Sequence, residues 1–196
     1  TAVAVYTMLR TGVQIGDNVT ILGDGPIGLL CLQIAKSMGG QKIIVSGGHD
    51  SRLKLALELG AYEVFNRHND PISIVERVRE SHEGGSDVVI EAAGAPKAFR
   101  DALDIAHQDG KIGITGFCEW KEAIIQPDKI LTKNLMVRGA DASPGTWDIA
   151  IRLAANGKIN LGKLISHTFQ LEEHEKALKM VKDKEDDLVK GVFKIN

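Results

Sequence analysis

The short run Val19–Leu22 leads straight into Gly23-Asp24-Gly25-Pro26-Ile27-Gly28, and a helical pattern without proline continues from Ile27 through Ala35 to Met38. A strand, a glycine turn and a helix start in that order leave the chain little freedom. Gly23 permits the tight bend, Gly25 lets backbone approach a bound phosphate, and Gly28 allows the helix to pack closely on the strand. The N–H groups that follow at Ile27 and Gly28 are presented to an anion, and without a ligand they would point at nothing. The turn therefore points to the pyrophosphate of a dinucleotide.

Strand and helix signals alternate along most of the chain. Strands are expected at 19–22, 42–46, 62–66, 87–92, 111–115 and 135–140. Helices are expected at 27–38, 52–59, 96–106 and from Pro71 toward His82, with a short run at 123–126 left between strands. Strands that read as continuous apolar runs between helices predict a parallel sheet covered on both faces. The expected fold class is α/β, a doubly wound six-stranded parallel sheet of Rossmann type, with its ligand crevice at the carboxyl ends of the strands. Beyond Gly145 the rhythm changes to a helix (147–155), a strand (164–169), a charged helix (172–182) and a last strand (192–195). The charge run Lys182–Asp187 reads as a solvated helix end. The expected division is a dinucleotide-binding domain over 1–142 and a C-terminal segment over 143–196.

Composition excludes several function classes. A net charge of −2 and 5% aromatic residues give no basic, aromatic-interleaved stripe for nucleic acid and no draw to an anionic membrane. No apolar run is long enough to span a bilayer. Cys31 and Cys118 have no pattern between them and read as reduced thiols of a cytoplasmic protein. Thr1–Leu9 is apolar and begins as if within a helix, so the reading is a severed helix rather than a signal peptide.

A set of motifs in order carries a family resemblance: Gly23 to Gly28, then Arg52-Leu53 through Leu59-Gly60-Ala61, Asp87-Val88-Val89-Ile90-Glu91-Ala92-Ala93-Gly94, Gly110-Lys111-Ile112, and Ile165-Ser166-His167-Thr168-Phe169. Over its whole length the chain resembles the medium-chain dehydrogenase/reductase superfamily, in particular its zinc-dependent alcohol, sorbitol and threonine dehydrogenases. The proline of the glycine turn favours this branch over zinc-free quinone-type reductases. The resemblance implies that the chain is the NAD(P)-binding portion, with the zinc ligands on an N-terminal catalytic domain upstream of Thr1. It implies hydride transfer between a secondary alcohol, polyol or threonine-like hydroxy compound and a nicotinamide, next to a zinc-polarised oxygen. It also implies a homodimer or homotetramer through the edge of the sixth strand. The tail would return to complete the catalytic domain. His49, His68, His82, His107, His167 and His174 have no metal-ligand spacing with the cysteines, so no metal ligand and no catalytic residue is assigned within the chain. The alternative is a stand-alone non-catalytic dinucleotide-binding or redox-sensing module. The Ser-Tyr-Lys set of short-chain reductases is excluded, since Tyr-x-x-x-Lys does not occur.

The expected cofactor residues follow the strand ends. Gly23, Gly25, Pro26, Ile27 and Gly28 take the pyrophosphate. An NAD-selective site places a carboxylate at the end of the second strand for the ribose hydroxyls. By the family's register that position is Gly47, within Ser46-Gly47-Gly48-His49-Asp50-Ser51-Arg52. Two readings stay open: Ser46, His49 and Arg52 make room for the 2′-phosphate of NADP, or Asp50 or a backbone N–H holds the ribose of NAD. The lean is to NADP. By resemblance, Ala92, Ala93, Gly94, Thr115, Gly116 and Phe117 line the cleft, and Gly139, Ala140 and Asp141 lie at the nicotinamide carboxamide. Lys190 is expected either to reach the pyrophosphate or to be a surface lysine of a helix end. Glu91 is expected to orient neighbouring backbone rather than to do chemistry.

Overall fold

The computed structural model describes residues 1–183 and 188–195. One six-stranded parallel sheet has the order β3-β2-β1-β4-β5-β6, formed by β1 (Val19–Leu22), β2 (Ile43–Gly47), β3 (Glu63–Asn66), β4 (Ser86–Glu91), β5 (Ala106–Ile114) and β6 (Met136–Gly139). The helices that cover it are α1 (Ala2–Thr11), α2 (Pro26–Ser37), α3 (Asp50–Leu59), α4 (Ile74–Ser81), α5 (Pro96–Ile105), α6 (Asp128–Thr132) and α7 (Trp147–Ala155). Strand alternation splits the core in two. Val19, Ile21, Val45, Val88 and Ile90 pack with α1, α2, α3 and α7, while Leu22, Ile44, Val89 and Ile112 pack with α4 and α5 on the other face. This is the doubly wound arrangement expected from the apolar runs.

The strand order reverses between β1 and β4, and the register lines up the carboxyl ends there. Leu22 is level with Ser46 and with Glu91, Glu91 with Ile114, and Ile114 with Gly139. The next residue on each strand, Gly47, Gly23, Ala92, Thr115 and Ala140, therefore forms one rim across the sheet. The tail contributes a separate two-stranded parallel sheet, β7 (Ile165–Gln170) with β8 (Lys190–Lys194), and helix α8 (His174–Asp183). Ala150, Ile159 and Leu164 nevertheless share the core of α1 and α2, and Thr146 Oγ1 donates to the Ala2 carbonyl at 3.0 Å. No helix among the described residues is long and apolar enough to cross a membrane.

Several expectations are corrected. The fourth helix does not open at Pro71: Ser73 caps it, with Glu76 N–H donating to Ser73 Oγ at 3.2 Å and Ser73 N–H donating to Glu76 Oε2 at 2.8 Å. This reciprocal capping box outcompetes the proline as a start signal. The fifth strand begins at Ala106, not Lys111, because Ala106 already pairs with Ser86 before the register jumps to Lys111 opposite Val88. The polar residues between them bulge out, with Asp109 at φ 61°, and so do not read as strand. The short run at 123–126 lies outside any element, α6 follows at Asp128, and the last strand starts two residues and ends one residue earlier than expected, at Lys190 and Lys194. The fourth strand is not wholly apolar, since Ser86 and Glu91 are both fully buried in it. Of the charge run, Lys182 and Asp183 end α8 and residues 184–187 lie outside the described residues.

Beneath the sheet, at the end remote from the rim, His82 Nδ1 bonds Ser86 Oγ at 2.8 Å, and Ser86 Oγ bonds Thr20 Oγ1 at 2.7 Å. His82 Nε2 is buried without a partner. Burial, with Lys42 nearby, pushes the His82 pKa down to about 4. An unfolded histidine titrates near 6.5, so the unfolded chain binds the proton first and stability falls as pH drops through that window. His82 is expected to remove up to roughly 3 kcal/mol of stability between about pH 6.5 and pH 4. Denaturant unfolding of wild type and His82→Gln over that range checks it: the variant should show the shallower pH dependence.

Candidate functional site: a dinucleotide cleft on the strand rim

The glycine turn sits at the switch point and its three glycines meet three different surroundings. Gly23 has φ 130°, in the region that favours glycine, and a Cβ there would lie 2.8 Å from the Ala92 carbonyl. A Cβ on Gly28 would overlap the Gly23 carbonyl oxygen, so α2 can approach β1 only without a side chain at that position. A Cβ on Gly25 meets nothing within 4 Å. Open space there and closed space at the other two positions is the cradle a pyrophosphate requires. Gly25 is the N-cap of α2, Pro26 stands in the first turn, and no side chain caps the helix. The amides of Ile27 and Gly28 therefore have no intrahelical partner four residues back and remain available to an anion.

The end of β2 holds a group that sequence reasoning passed over. The Asp24 carboxylate reaches across to it and is only 5% exposed as a residue. Its Oδ2 accepts from Gly48 N–H and His49 N–H, both at 2.9 Å, and lies 3.0 Å from His49 Nδ1. Arg52 Nη1 is 3.9 Å from Oδ1, while Arg52 Nη2 donates to the Leu188 carbonyl at 2.7 Å. Burial opposes the charge of Asp24, but the N–H groups of Gly48 and His49 and the His49 ring outweigh it and hold the carboxyl below its ordinary range. Asp24 stood inside the glycine motif at one of its two variable positions. The missed signal was its pairing with a side-chain-free Gly47. Arg67, at the end of β3, was also passed over, and a Cβ on Gly48 would come 2.6 Å from its Cζ. Ser46 is buried nearby.

On the far side of β1 a second buried carboxylate ties the next two strand ends. Glu91 is 0% exposed, and its Oε1 accepts from Ala93 N–H at 3.0 Å and Gly94 N–H at 2.8 Å. Burial pushes this carboxyl above the ordinary range, against the pull of those N–H groups. A Cβ on Gly94 would lie 2.5 Å from the Phe117 carbonyl oxygen, and one on Gly116 would lie 2.5 Å from Glu91 Oε2. The loops 92–94 and 115–117 thus touch through backbone. Phe117 itself is 68% exposed and meets Trp120 edge to face.

These residues line three clefts along the rim. One of about 430 Å³ holds Gly23, Asp24, Gly25, Pro26, His49, Arg52, Arg67, Ala92 and Ala93, with Leu188 and Val189 of the tail closing one side. A second, about 570 Å³, shares Gly23, Ala93 and Arg67 with it and adds Ser46, Phe65 and Gly94. The third, about 660 Å³, lies between Tyr6, Arg10, Thr115, Gly116, Phe117, Trp120, Gly139, Ala140 and Asp141. At that end the Gly139 carbonyl is already taken by Arg10 Nε at 2.6 Å, and Ala140 N–H by the Ile114 carbonyl at 2.8 Å. Lys190 is the first residue of β8 rather than part of a helix end, and it lines a neighbouring apolar cavity with Pro26 and Phe193 instead of the glycine-turn cleft. Among the described residues no group of three or more His, Cys, Asp or Glu side chains could hold a metal ion. Cys31 is buried and its thiol is pushed up to about 12, which makes it unreactive.

A doubly wound sheet with an open glycine cradle at its switch point defines a dinucleotide-binding protein of Rossmann type. Comparison with known proteins narrows this: residues 26–156 match the family described as zinc-binding dehydrogenase, and the chain belongs to that family. It is 34% identical over 177 residues to an L-threonine 3-dehydrogenase of Stenotrophomonas maltophilia, covering 86% of this chain and 49% of that protein. It is 33% identical over 183 residues to a sorbitol dehydrogenase of Halalkalibacterium halodurans, covering 92% and 53%. The chain spans about half the length of these curated relatives. Among solved structures, 2R,3R-butanediol dehydrogenase from Bacillus subtilis superposes with a TM-score of 0.90 at 28% identity, over 100% of this chain and 55% of that one. A zinc-binding dehydrogenase from Sinorhizobium meliloti bound to NADP gives a TM-score of 0.84 at 29% identity, over 90% and 52%.

Gly28 and Gly25 should respond differently to the same added methyl group. Gly28→Ala is expected to impair folding, because the methyl meets fixed backbone. Gly25→Ala is expected to keep stability within about 0.5 kcal/mol, as for a substitution into open space, yet to weaken dinucleotide binding by at least about tenfold. Thermal unfolding and a cofactor titration on each variant separate the two effects.

Proposed function

We propose that the protein containing this chain is a nicotinamide-dependent oxidoreductase acting on CH–OH groups, and that the described residues form its cofactor site. The observation that carries this reading is the glycine cradle at the β1/β4 switch point, closed at Gly23 and Gly28 and open at Gly25. The pyrophosphate lies on Gly23, Gly25, Pro26, Ile27 and Gly28. The adenosine side runs toward Ser46, Gly47, Gly48, His49 and Arg52, and the nicotinamide side past Ala92, Ala93, Gly94, Thr115, Gly116 and Phe117 to Gly139, Ala140 and Asp141. This chain's task is then to bind the dinucleotide, hold one nicotinamide face toward the substrate and exclude water. The described residues do not fit a zinc site, so no zinc step is assigned to them.

Secondary alcohols, polyols and threonine-like hydroxy compounds are the proposed substrates, in keeping with the names of the relatives. A boundary near residue 142 is proposed, with 143–196 serving the remainder of the protein. The β6 edge, where Met136 and Arg138 are exposed, is proposed to pair with a second copy. The reduced thiols fit a cytoplasmic setting. Lys190, which shares a cavity with Pro26, is proposed to reach the pyrophosphate from the tail. A stand-alone binding module is not favoured, since the relatives are named as dehydrogenases. Of the two cofactors, the sequence lean to NADP rests on the space opened by Gly47, and the choice turns on what fills that space.

NADH fluorescence should rise on binding and be reversed by ADP-ribose, which carries the pyrophosphate and adenosine contacts without the nicotinamide. A strong chelator is expected to abolish alcohol oxidation by the protein while leaving NADH affinity unchanged. No response to either NADH or ADP-ribose overturns the reading.

A further inference from the structure

We infer that Asp24 sets the cofactor preference, selecting the dinucleotide with a free ribose 2′-hydroxyl, NAD(H), against its 2′-phosphorylated counterpart. The inference rests on the dinucleotide reading of the cleft. In a doubly wound site the discriminating carboxylate ordinarily stands at the end of the second strand, where it accepts from the ribose hydroxyls. Here that position is Gly47, but the space beside it is filled. A Cβ built on Gly47 would overlap Cβ, Cγ and Oδ2 of Asp24. The carboxylate has thus been supplied to the same place from the glycine turn, and the bare Gly47 is what admits it.

Its bonds decide what else can enter. Oδ2 takes the N–H groups of Gly48 and His49, each at 2.9 Å, which are the backbone donors a phosphate at the start of α3 would use. Oδ1 faces Arg52 Nη1 at 3.9 Å, beyond hydrogen-bond distance, so it keeps its capacity to accept from a ribose hydroxyl. An arriving 2′-phosphate meets a fixed negative charge and finds those donors occupied. The cations nearby do not reverse this balance. Arg52 spends Nη2 on the Leu188 carbonyl, His49 turns its ring nitrogen to Asp24, and the exposed Arg67 guanidinium lies against the Gly48 peptide.

The test is titration of the protein with NADH, NADPH and ADP-ribose, in wild type, Asp24→Asn, Asp24→Ala and the double variant Asp24→Ala/Gly47→Asp. Wild type is expected to bind NADH at least about tenfold tighter than NADPH, because like charges forced together at a buried contact are strongly unfavourable. Asp24→Asn keeps the shape without the charge, and should narrow that ratio chiefly by tightening NADPH. The double variant returns the carboxylate to the strand end, and should restore the NADH preference. Wild type that binds NADPH as tightly as NADH overturns the inference and leaves the dinucleotide reading intact. So does an unchanged ratio in both single variants, with any loss shared equally, since Asp24 would then only staple the loop. If wild type binds none of the three ligands, the dinucleotide reading itself fails.

Discussion

The absence of a side chain at Gly28, where a Cβ would overlap the Gly23 carbonyl, is the constraint on which the rest of the molecule depends. With no side chain between them, α2 begins directly above the end of β1 and packs its apolar face, Leu29, Leu32 and Ile34 among others, into the first core. A methyl group at that one position would lift the helix from the strand. The same constraint sets the first-turn amides of α2 at the place where the strand order reverses, so one steric fact serves both core and cleft. The register then extends it, since level strand ends place Gly47, Gly23, Ala92, Thr115 and Ala140 in a single row.

Two buried carboxylates organise that row from either side of β1. Asp24 ties the glycine turn to the end of β2, and Glu91 holds the β4 loop against the β5 loop. Burying a carboxylate is unfavourable unless backbone N–H groups or a cation meet it. Asp24 has both and its carboxyl is held below the ordinary range, whereas burial of Glu91, whose Oε2 has no partner, outweighs its N–H bonds and raises its pKa. Neither acid is placed to do chemistry. Each fixes loops whose backbone would otherwise be free to move, which suits a site built to hold a cofactor in one orientation.

The legible parts of the chain were those where a local pattern has a single physical outcome. Runs such as Val88–Ile90, apolar on both faces, can satisfy burial only inside a covered parallel sheet, and the glycine turn admits few backbone paths. The less legible parts involve competition between signals. Pro71 read as a helix start, but the reciprocal bonds between Ser73 and Glu76 set the helix to begin at Ile74. The residues from His107 to Gly110 read as loop, yet they bulge from a strand that has already begun pairing at Ala106.

Sequence alone determined the class of fold, the position of the glycine cradle and the family, because each rests on local patterns and on their order along the chain. Tertiary structure decided how the ribose end is lined. Asp24 and Gly47 lie on different strand ends and meet only when β1 and β2 pair in register, Leu22 opposite Ser46. Contacts between residues that far apart, such as the bonds from Gly48 and His49 N–H to Asp24, leave no periodicity and no motif, so the empty position at Gly47 and the acid that fills it are brought together only in the folded chain.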